Sequence, residues 1–439
     1  MKKLILNVAI LASTVALAQP VGWTDQNTNI PGSQDYYVSA IHALNENVVW
    51  ALPQGQSTAP NRYPNYVLVT SDGGNTWVAK TGPAPSGALI SMIFGVDANT
   101  AFAVTAPYTA GPSTNGLYKT TDGGNTWSKK ASVNFSNAAS FANIVHFWDA
   151  NTGFAIGDPV NGIYEAFKTT DGGETWSVLT TAPTTTDNNE FGYNGGLAVN
   201  GENVWLTSST GAIWHTNDRG VTWTKHFTPI SDFGGVNVEG SFGHISFSSA
   251  TYGLVTGSDE LLFYTTDGGA NWEVLETSGF YNGDIAWVPG TEKTFISTSA
   301  DFNNINLGYG SSISYDGGVT WNIIDQEMQR GAIGAANPNA VWAGHFQTNG
   351  VGGILRLDGS LSIEDLATTK VSLHAVVDQQ SLKLVSNQKI SDVTLVDMNG
   401  KAVAKFKGNT NSVSHLPKGV YVAKVQYENG TFGTVKFIK

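Results

Sequence analysis

Six copies of one short turn sequence constrain this chain more than any other feature. They read "VTSDGGNTWVAK", "KTTDGGNTWSKK", "KTTDGGETWSVL", "HTNDRGVTWTKH", "YTTDGGANWEVL" and "SISYDGGVTWNII". Their aspartates, Asp72, Asp122, Asp171, Asp218, Asp267 and Asp316, are separated by 50, 49, 47, 49 and 49 residues. A period that steady marks a repeat architecture, in which each unit packs against its neighbours. The aspartate of such a turn can accept hydrogen bonds from the backbone N–H groups that follow it, and the glycines supply dihedrals closed to other residues. A single active site has no need of six copies, so the turn is read as structural. A calcium loop would carry a denser set of carboxylates.

A second feature repeats in step. "AIHALNENVVWAL", "MIFGVDANTAFAV", "IVHFWDANTGFAI", "LAVNGENVWLT", "ISFSSATYGLV", "IAWVPGTEKTFI" and "AIGAANPNAVWAG" each read as strand, tight turn, strand. Each unit thus has two strands, a variable loop, a third strand, the Asp-Gly turn and a fourth strand beginning near the tryptophan. Four strands every 40 to 50 residues are the signature of a β-propeller blade. Seven inner hairpins against six Asp-Gly turns leave the last unit without a fourth strand. The segment "VGWTDQNT", Val21 to Thr28, is a strand without a unit, and its Trp23 resembles a turn tryptophan. The expectation is a seven-bladed ring over 21–360, closed by pairing Val21–Thr28 with Ile354–Asp358, which removes two exposed sheet edges. After a linker at 361–369, residues 370–439 read as short alternating strands with hairpin signals at Met398-Asn399-Gly400 and Glu428-Asn429-Gly430, consistent with a small β-sandwich.

Composition agrees with an all-β reading and narrows the function. Of 439 residues, 50 are glycine, 13 are tryptophan and only 13% are charged, which suits many short strands better than amphipathic helices. The formal net charge of -12 argues against nonspecific binding of nucleic acid or anionic membrane. The absence of cysteine excludes disulfides, thiolate metal sites and a cysteine nucleophile. The first 18 residues have the form of a secretory signal: Lys2 and Lys3, an apolar run from Leu4 to Leu17, and Ala16-Leu17-Ala18 before Gln19. No other stretch has the length and apolarity of a transmembrane span.

The six turns resemble the Asp-box, or BNR, pattern of Ser/Thr-x-Asp-x-Gly-x-Thr-Trp. It occurs in sialidases, sortilin-type receptors, xyloglucanase-type glycosidases and propellers like the photosystem II assembly and stability factors. "AIGDPVNGIYEAFKTTDGGETW" and "GENVWLTSSTGAIWHTNDRGVTW" are most similar to the last group. The resemblance implies the blade and says little about function. At the other end, "VTLVDMNGKAVAKF" and "LPKGVYVAKVQYENGTFGTVKFIK" resemble the type A-like sorting domain of type IX secretion. That resemblance implies passage through the Sec machinery and then the type IX apparatus. The product would be secreted or held on the outer cell surface, with the sorting domain usually removed.

In a propeller, the loops between second and third strands and those between blades lie on the face away from the Asp-Gly turns. Here they are long and rich in polar and aromatic residues, so a ligand is expected there. The candidates are Arg62, Tyr63, Asp158, Glu190, Tyr193, Asp232, Glu239, Asp259, Glu260, Tyr281, Asp284, Asp301, Arg330 and His345. Among the inner strands, His42, Phe94, His146, Leu197 and Trp287 fall at equivalent positions. Their variety suggests a packing slot, with a pair of metal-binding histidines as the sharper alternative. Sialidases hold their substrate carboxylate with three arginines. This chain has four, with Arg219 inside a turn and Arg356 on a strand near the closure, so that activity is not expected. The expected function is ligand binding to a glycan or protein, without catalysis, cofactor or metal, by a monomer. The alternative is a glycoside hydrolase using two funnel carboxylates.

Overall fold

The computed structural model describes residues 21–439 except 33–34, 56–61, 109–115, 136–139, 235–243, 258–260, 300–308, 327, 349–350, 360, 362–372, 378–379, 387–388, 398–400 and 428–431. The signal-like N-terminus, the two Asn-Gly hairpin tips and the candidates Glu239, Asp259, Glu260 and Asp301 lie outside the described residues. The chain forms two compact units, 1–362 and 363–439. Every regular element among the described residues is a β-strand.

In the larger unit, β1 (Gly22–Asn27) comes first, followed by four-stranded antiparallel groups in sequence order. They are β2 to β5 (Tyr36–Ala43, Val49–Gly55, Tyr66–Thr70, Val78–Thr81), β6 to β9 (Ala88–Gly95, Ala101–Pro107, Gly116–Thr120, Ser128–Lys129) and β10 to β13 (Ala142–Phe147, Gly153–Val160, Ile163–Thr169, Ser177–Val178). Next are β14 to β17 (Gly192–Asn200, Asn203–Ser208, Ala212–Thr216, Thr224–Phe227), β18 to β21 (His244–Phe247, Gly253–Thr256, Leu262–Thr265, Glu273–Val274) and β22 to β25 (Asp284–Trp287, Phe295–Ser299, Gly310–Ser314, Asn322–Asp325). The last group has three strands of its own, β26 (Ile333–Asn337), β27 (Ala340–Thr348) and β28 (Val351–Asp358), and takes β1 as its fourth. The result is a β-propeller fold.

The ring closes by the expected pairing of the first strand with the last. β1 runs antiparallel to β28 from Gly22↔Asp358 to Asn27↔Gly353. Three further ties were not legible in the sequence. β2 also pairs with β27, at Tyr36↔Gln347 and Tyr37↔Phe346, so the first and last groups form one eight-stranded sheet. Gln26 on β1 accepts from the indoles of Trp77 at 3.0 Å and Trp342 at 3.2 Å, and donates to the Gly73 carbonyl at 3.0 Å. Gln347, fully buried, accepts from the Ile30 N–H and donates to the Ile30 carbonyl, both at 3.1 Å.

Burial follows strand position within the group. Second strands are almost wholly buried, as in β3 and β15, whereas the two-residue fourth strands β9, β13 and β21 are exposed. The apolar residues form one cluster per junction between groups. Phe102, Val104 and Leu117 of one group, for example, pack with Val145, Phe147 and Trp176 of the next. The core is therefore distributed around the ring, as a repeat architecture requires.

The Asp-Gly turns share one geometry. In the turn at Asp122, Thr120 Oγ1 donates to Asp122 Oδ1 at 2.9 Å and accepts from the Gly124 N–H at 3.0 Å. Asp122 Oδ1 also accepts the Thr126 N–H at 2.9 Å. The same three bonds recur at Asp72, Asp171, Asp218, Asp267 and Asp316. In five groups the first glycine of the turn also donates to a carbonyl of the inner hairpin, as Gly123 does to Asn99 at 2.9 Å. Inner and outer turns thus share one face. The fourth copy has Arg219 at that left-handed position, with φ 58° where its counterparts are glycine. Arg219 is held by Asp149 at 2.6 Å and Glu202 at 2.5 Å, partners that offset the strain of a side chain at positive φ.

The C-terminal unit has β29 (Leu373–Val377), β30 (Ser381–Ser386), β31 (Ile390–Asp397), β32 (Ala402–Lys407), β33 (Thr410–Ser412), β34 (Val420–Tyr427) and β35 (Phe432–Ile438). They form a sheet of order β29-β30-β33 and another of order β32-β31-β34-β35, packed over Leu382, Leu384, Val393, Leu395, Val425 and Tyr427.

Candidate functional site

The first strand of every group faces the middle of the ring, where β2, β6, β10, β14, β18, β22 and β26 line a cavity of about 510 Å³. A volume of that size suits a small molecule or a short stretch of polymer. The wall alternates small and apolar residues with hydroxyls from Ser39, Ser91, Thr207 and Ser246. The sequence pattern points to the loops and does not single out these hydroxyls. The period-2 alternation of the inner strands is the signal that carries Ser39, Ser91 and Ser246, whereas Thr207 reaches the wall from the second strand β15.

Ionisable groups on the described wall are few. Asp284 is its single carboxylate. Its Oδ1 lies 3.0 Å from His244 Nδ1 and accepts its neighbouring Ile285 N–H at 2.7 Å, while Oδ2 accepts the Ile333 N–H at 2.7 Å. Asp284 thereby joins β18, β22 and β26. His42 stacks on Phe94 with ring centroids 4.2 Å apart, and Phe94 meets His146 edge-on at 5.4 Å. His42 Nδ1 accepts the Gly95 N–H at 3.0 Å. Burial pushes His42 down to about 4; burial and the His42 charge push His146 down to about 3. Both are neutral at pH 7, and the Phe94 ring lies between them. This is the packing slot, and it weighs against the metal-ligand alternative. No group of three or more metal-ligating side chains occurs among the described residues.

The remaining described candidates separate into three kinds. Glu190 and Arg330, expected as loop side chains open to a ligand, are interior groups, which corrects that expectation. The Glu190 carboxylate is fully enclosed and accepts from Trp214 Nε1 at 2.7 Å, Tyr164 Oη at 3.3 Å, Thr185 Oγ1 at 2.5 Å and Lys225 Nζ at 2.5 Å. Burial raises its pKa, and the Lys225, Thr185 and Trp214 bonds outweigh that and hold it below the usual value. Arg330 is 4% exposed, lies 5.5 Å from the Trp23 ring centroid, and reaches Asp325 at 3.2 Å. Such sites are set by contacts between groups, which the sequence pattern does not display.

A second kind is half-buried, apart from Tyr193, which is 7% exposed and packs in the core where an open loop position was expected. Asp158 Oδ1 accepts from Asn143 Nδ2 at 2.6 Å and the Gly192 N–H at 2.9 Å, and burial pushes its pKa up to about 7. Tyr193 Oη donates to Asp232, which also accepts the Gly234 N–H at 2.9 Å. Burial, then Asp232, raises the Tyr193 pKa. Tyr281 donates its N–H to Ser297 at 2.9 Å, and His345 Nδ1 donates to the Gln329 carbonyl at 2.9 Å. Of all these candidates, Tyr193 and Asp284 line the cavity. The third kind lies apart: Arg62 sits 5.3 Å from the Tyr63 ring centroid, and Tyr63 packs 5.2 Å from the half-exposed Tyr108.

Residues 378–439 match the secretion system C-terminal sorting domain. That domain directs type IX secretion, so the protein is secreted or displayed on the outer cell surface. A search of curated proteins finds no match. Among solved structures, the chain is similar to YCF48 bound to D1 peptide, at 16% identity and a TM-score of 0.51, covering 78% of this chain and 97% of that one. It is likewise similar to YCF48 from Cyanidioschyzon merolae, at 16% identity and a TM-score of 0.50, covering 76% and 98%. At these identities the likeness shows the propeller-type fold alone.

Proposed function

We propose that this chain is an exported, seven-bladed Asp-box propeller that binds a glycan or protein ligand on its loop face, around the central cavity, without catalysing a reaction. The domain plan is a signal peptide at 1–18, the propeller at 21–360, a linker at 361–369 and the sorting domain at 370–439. One observation carries the noncatalytic reading. Asp284, the single carboxylate on the described cavity wall, is bound by His244 and two backbone N–H groups and joins three blades. Glycoside hydrolysis calls for two carboxyl groups flanking the scissile bond. The binding of a peptide by YCF48 is compatible with a protein ligand here.

A second reading has an observation of its own. Asp158 is held near 7 while Glu190 is held below its usual value, the divergence that marks an acid and base pair. Against it, both Glu190 oxygens are already filled by four protein donors. The purified chain from Gln19 onward should bind on glycan or peptide arrays and release no product in a hydrolysis screen. Hydrolysis that disappears in Asp158→Asn or Asp284→Asn would falsify the noncatalytic reading.

A further inference from the structure

The two ends of the chain differ sharply in charge. Residues 370–439 carry ten lysines and four Asp or Glu, a formal +6; residues 1–369 carry 13 Lys or Arg and 31 Asp or Glu, a formal -18. Strand register shows where part of the positive charge goes. In the sheet β32-β31-β34-β35, Lys405 lies opposite Thr394, Thr394 opposite Lys424, and Lys424 opposite Thr434. Directly opposed residues share a face. Lys407 opposes Asp392, and Lys436 opposes Val422, two residues along from Lys424 on the same face. The intervening residues Val393, Leu395, Ala423 and Val425 are in the core. Lys405, Lys407, Lys424 and Lys436 are all exposed. None is within ion-pair distance of a described carboxylate.

Lysines on an edge strand protect it from unwanted pairing. That accounts for β32 and β35, which are edges, but not for Lys424, whose strand is paired on both sides. With strands about 4.8 Å apart, Lys405 and Lys424 stand about 10 Å apart across β31, a spacing that presents separate charges to one flat partner.

We propose that this sheet face is the docking surface by which the sorting domain is recognised, and that its occupant is an acidic protein surface of the export apparatus. The proposal rests on the type IX route and is independent of what the propeller binds. Charge complementarity is the argument: the face is a patch of unpaired positive charge on a chain that is otherwise acidic. Such a patch steers and orients an anionic partner.

The test uses the full chain in a type IX-competent bacterium, comparing protein outside the cell with protein in the periplasm. The triple variant Lys405→Glu, Lys424→Glu, Lys436→Glu is expected to lower the exported fraction about tenfold or more, since like-charge juxtaposition costs several kcal/mol. The corresponding Arg triple should export normally, and the Gln triple should fall between. Normal export of the Glu triple overturns the proposal. If that triple melts below the wild type, Lys424→Gln alone decides: reduced export supports the face, unchanged export removes it. Purified full chain offered to phosphatidylglycerol vesicles should show no lysine-dependent binding; such binding together with lysine-independent export would overturn the protein partner. Deleting 370–439 separates the failures. Export of the deleted chain sinks the sorting route itself, whereas retention of the deleted chain beside normal export of the Glu triple sinks only the face.

Discussion

Carboxylates on the two faces of the propeller are held in opposite ways. On the turn face, six aspartates sit in one repeated arrangement, five exposed and Asp218 partly so, each ringed by donors within four residues. Asp122 and Asp171 are held down at about 2, chiefly by the hydroxyls of Thr126 and Thr175. On the loop face no two carboxylates are alike. Asp158 is pushed up by burial, Glu190 is enclosed by four donors, Asp232 takes a tyrosine, and Asp284 bridges three groups. A repeated local environment makes a fold device. A set of unequal environments is what the proposed binding face would call for.

The largest loss of stability in this contrast is expected from Glu190→Ala. It leaves the buried Trp214 and Tyr164 donors, and the partly exposed Lys225, without their acceptor, and should cost about 3 kcal/mol in a denaturant titration. A loss below about 1 kcal/mol would mean that Glu190 is free for ligand after all. Next comes pH. The folded pKa of Asp158 is raised to about 7, so its contribution to stability is present at low pH and is lost as pH rises from about 4 through about 7. Asp122 and Asp171 run the other way: their contribution is present above about 4 and is lost as pH falls towards 2. Asp158→Asn should therefore melt close to wild type at pH 4 and gain progressively as pH rises, by up to about 4 kcal/mol at pH 8. Equal effects at both pH values would show that Asp158 is ionised in the folded protein.

Gln26→Ala should be milder, at about 1 to 2 kcal/mol, since it leaves two partly buried indole N–H groups without their acceptor. Its position on the closing strand adds a second readout: hydrogen exchange should quicken along β1 and β28 before it does elsewhere. The smallest effect is expected from Asp122→Asn. One of six exposed turns is weakened, the amide oxygen can still accept the Thr126 N–H, and the melting temperature should fall less than for any variant above. Ligand binding on the opposite face should not change. A binding defect in this variant would erase the division of labour between the faces.

What was legible in advance followed from distance along the chain. The turn at Asp122 is complete within Thr120 to Thr126, so its chemistry can be read from seven letters, and its recurrence reports the unit length. The pairing of Val21–Thr28 with the last unit was also legible, because an unmatched strand at each end leaves one solution. The bond from Trp342 to Gln26 spans 316 positions, the one from Ile333 to Asp284 spans 49, and the one from Trp214 to Glu190 spans 24. No local pattern announces them. Loop residues such as Glu190 and Arg330 look solvated in sequence and are interior in the structure, because neighbouring groups fold over them.

The amino-acid sequence by itself determined the all-β repeat, the strand order within each unit, the closing strand and the export signal at the C-terminus. All of these depend on turn chemistry and on hydrophobic alternation, which act over a few residues. The tertiary structure alone decided which polar side chains are enclosed, that Phe94 separates His42 from His146, and that Asp284 is tied into the cavity wall. It also decided that Lys405 and Lys424 share one exposed face. Those outcomes depend on which strands stand side by side, and strand neighbours are chosen by burial and register across the whole ring and sandwich.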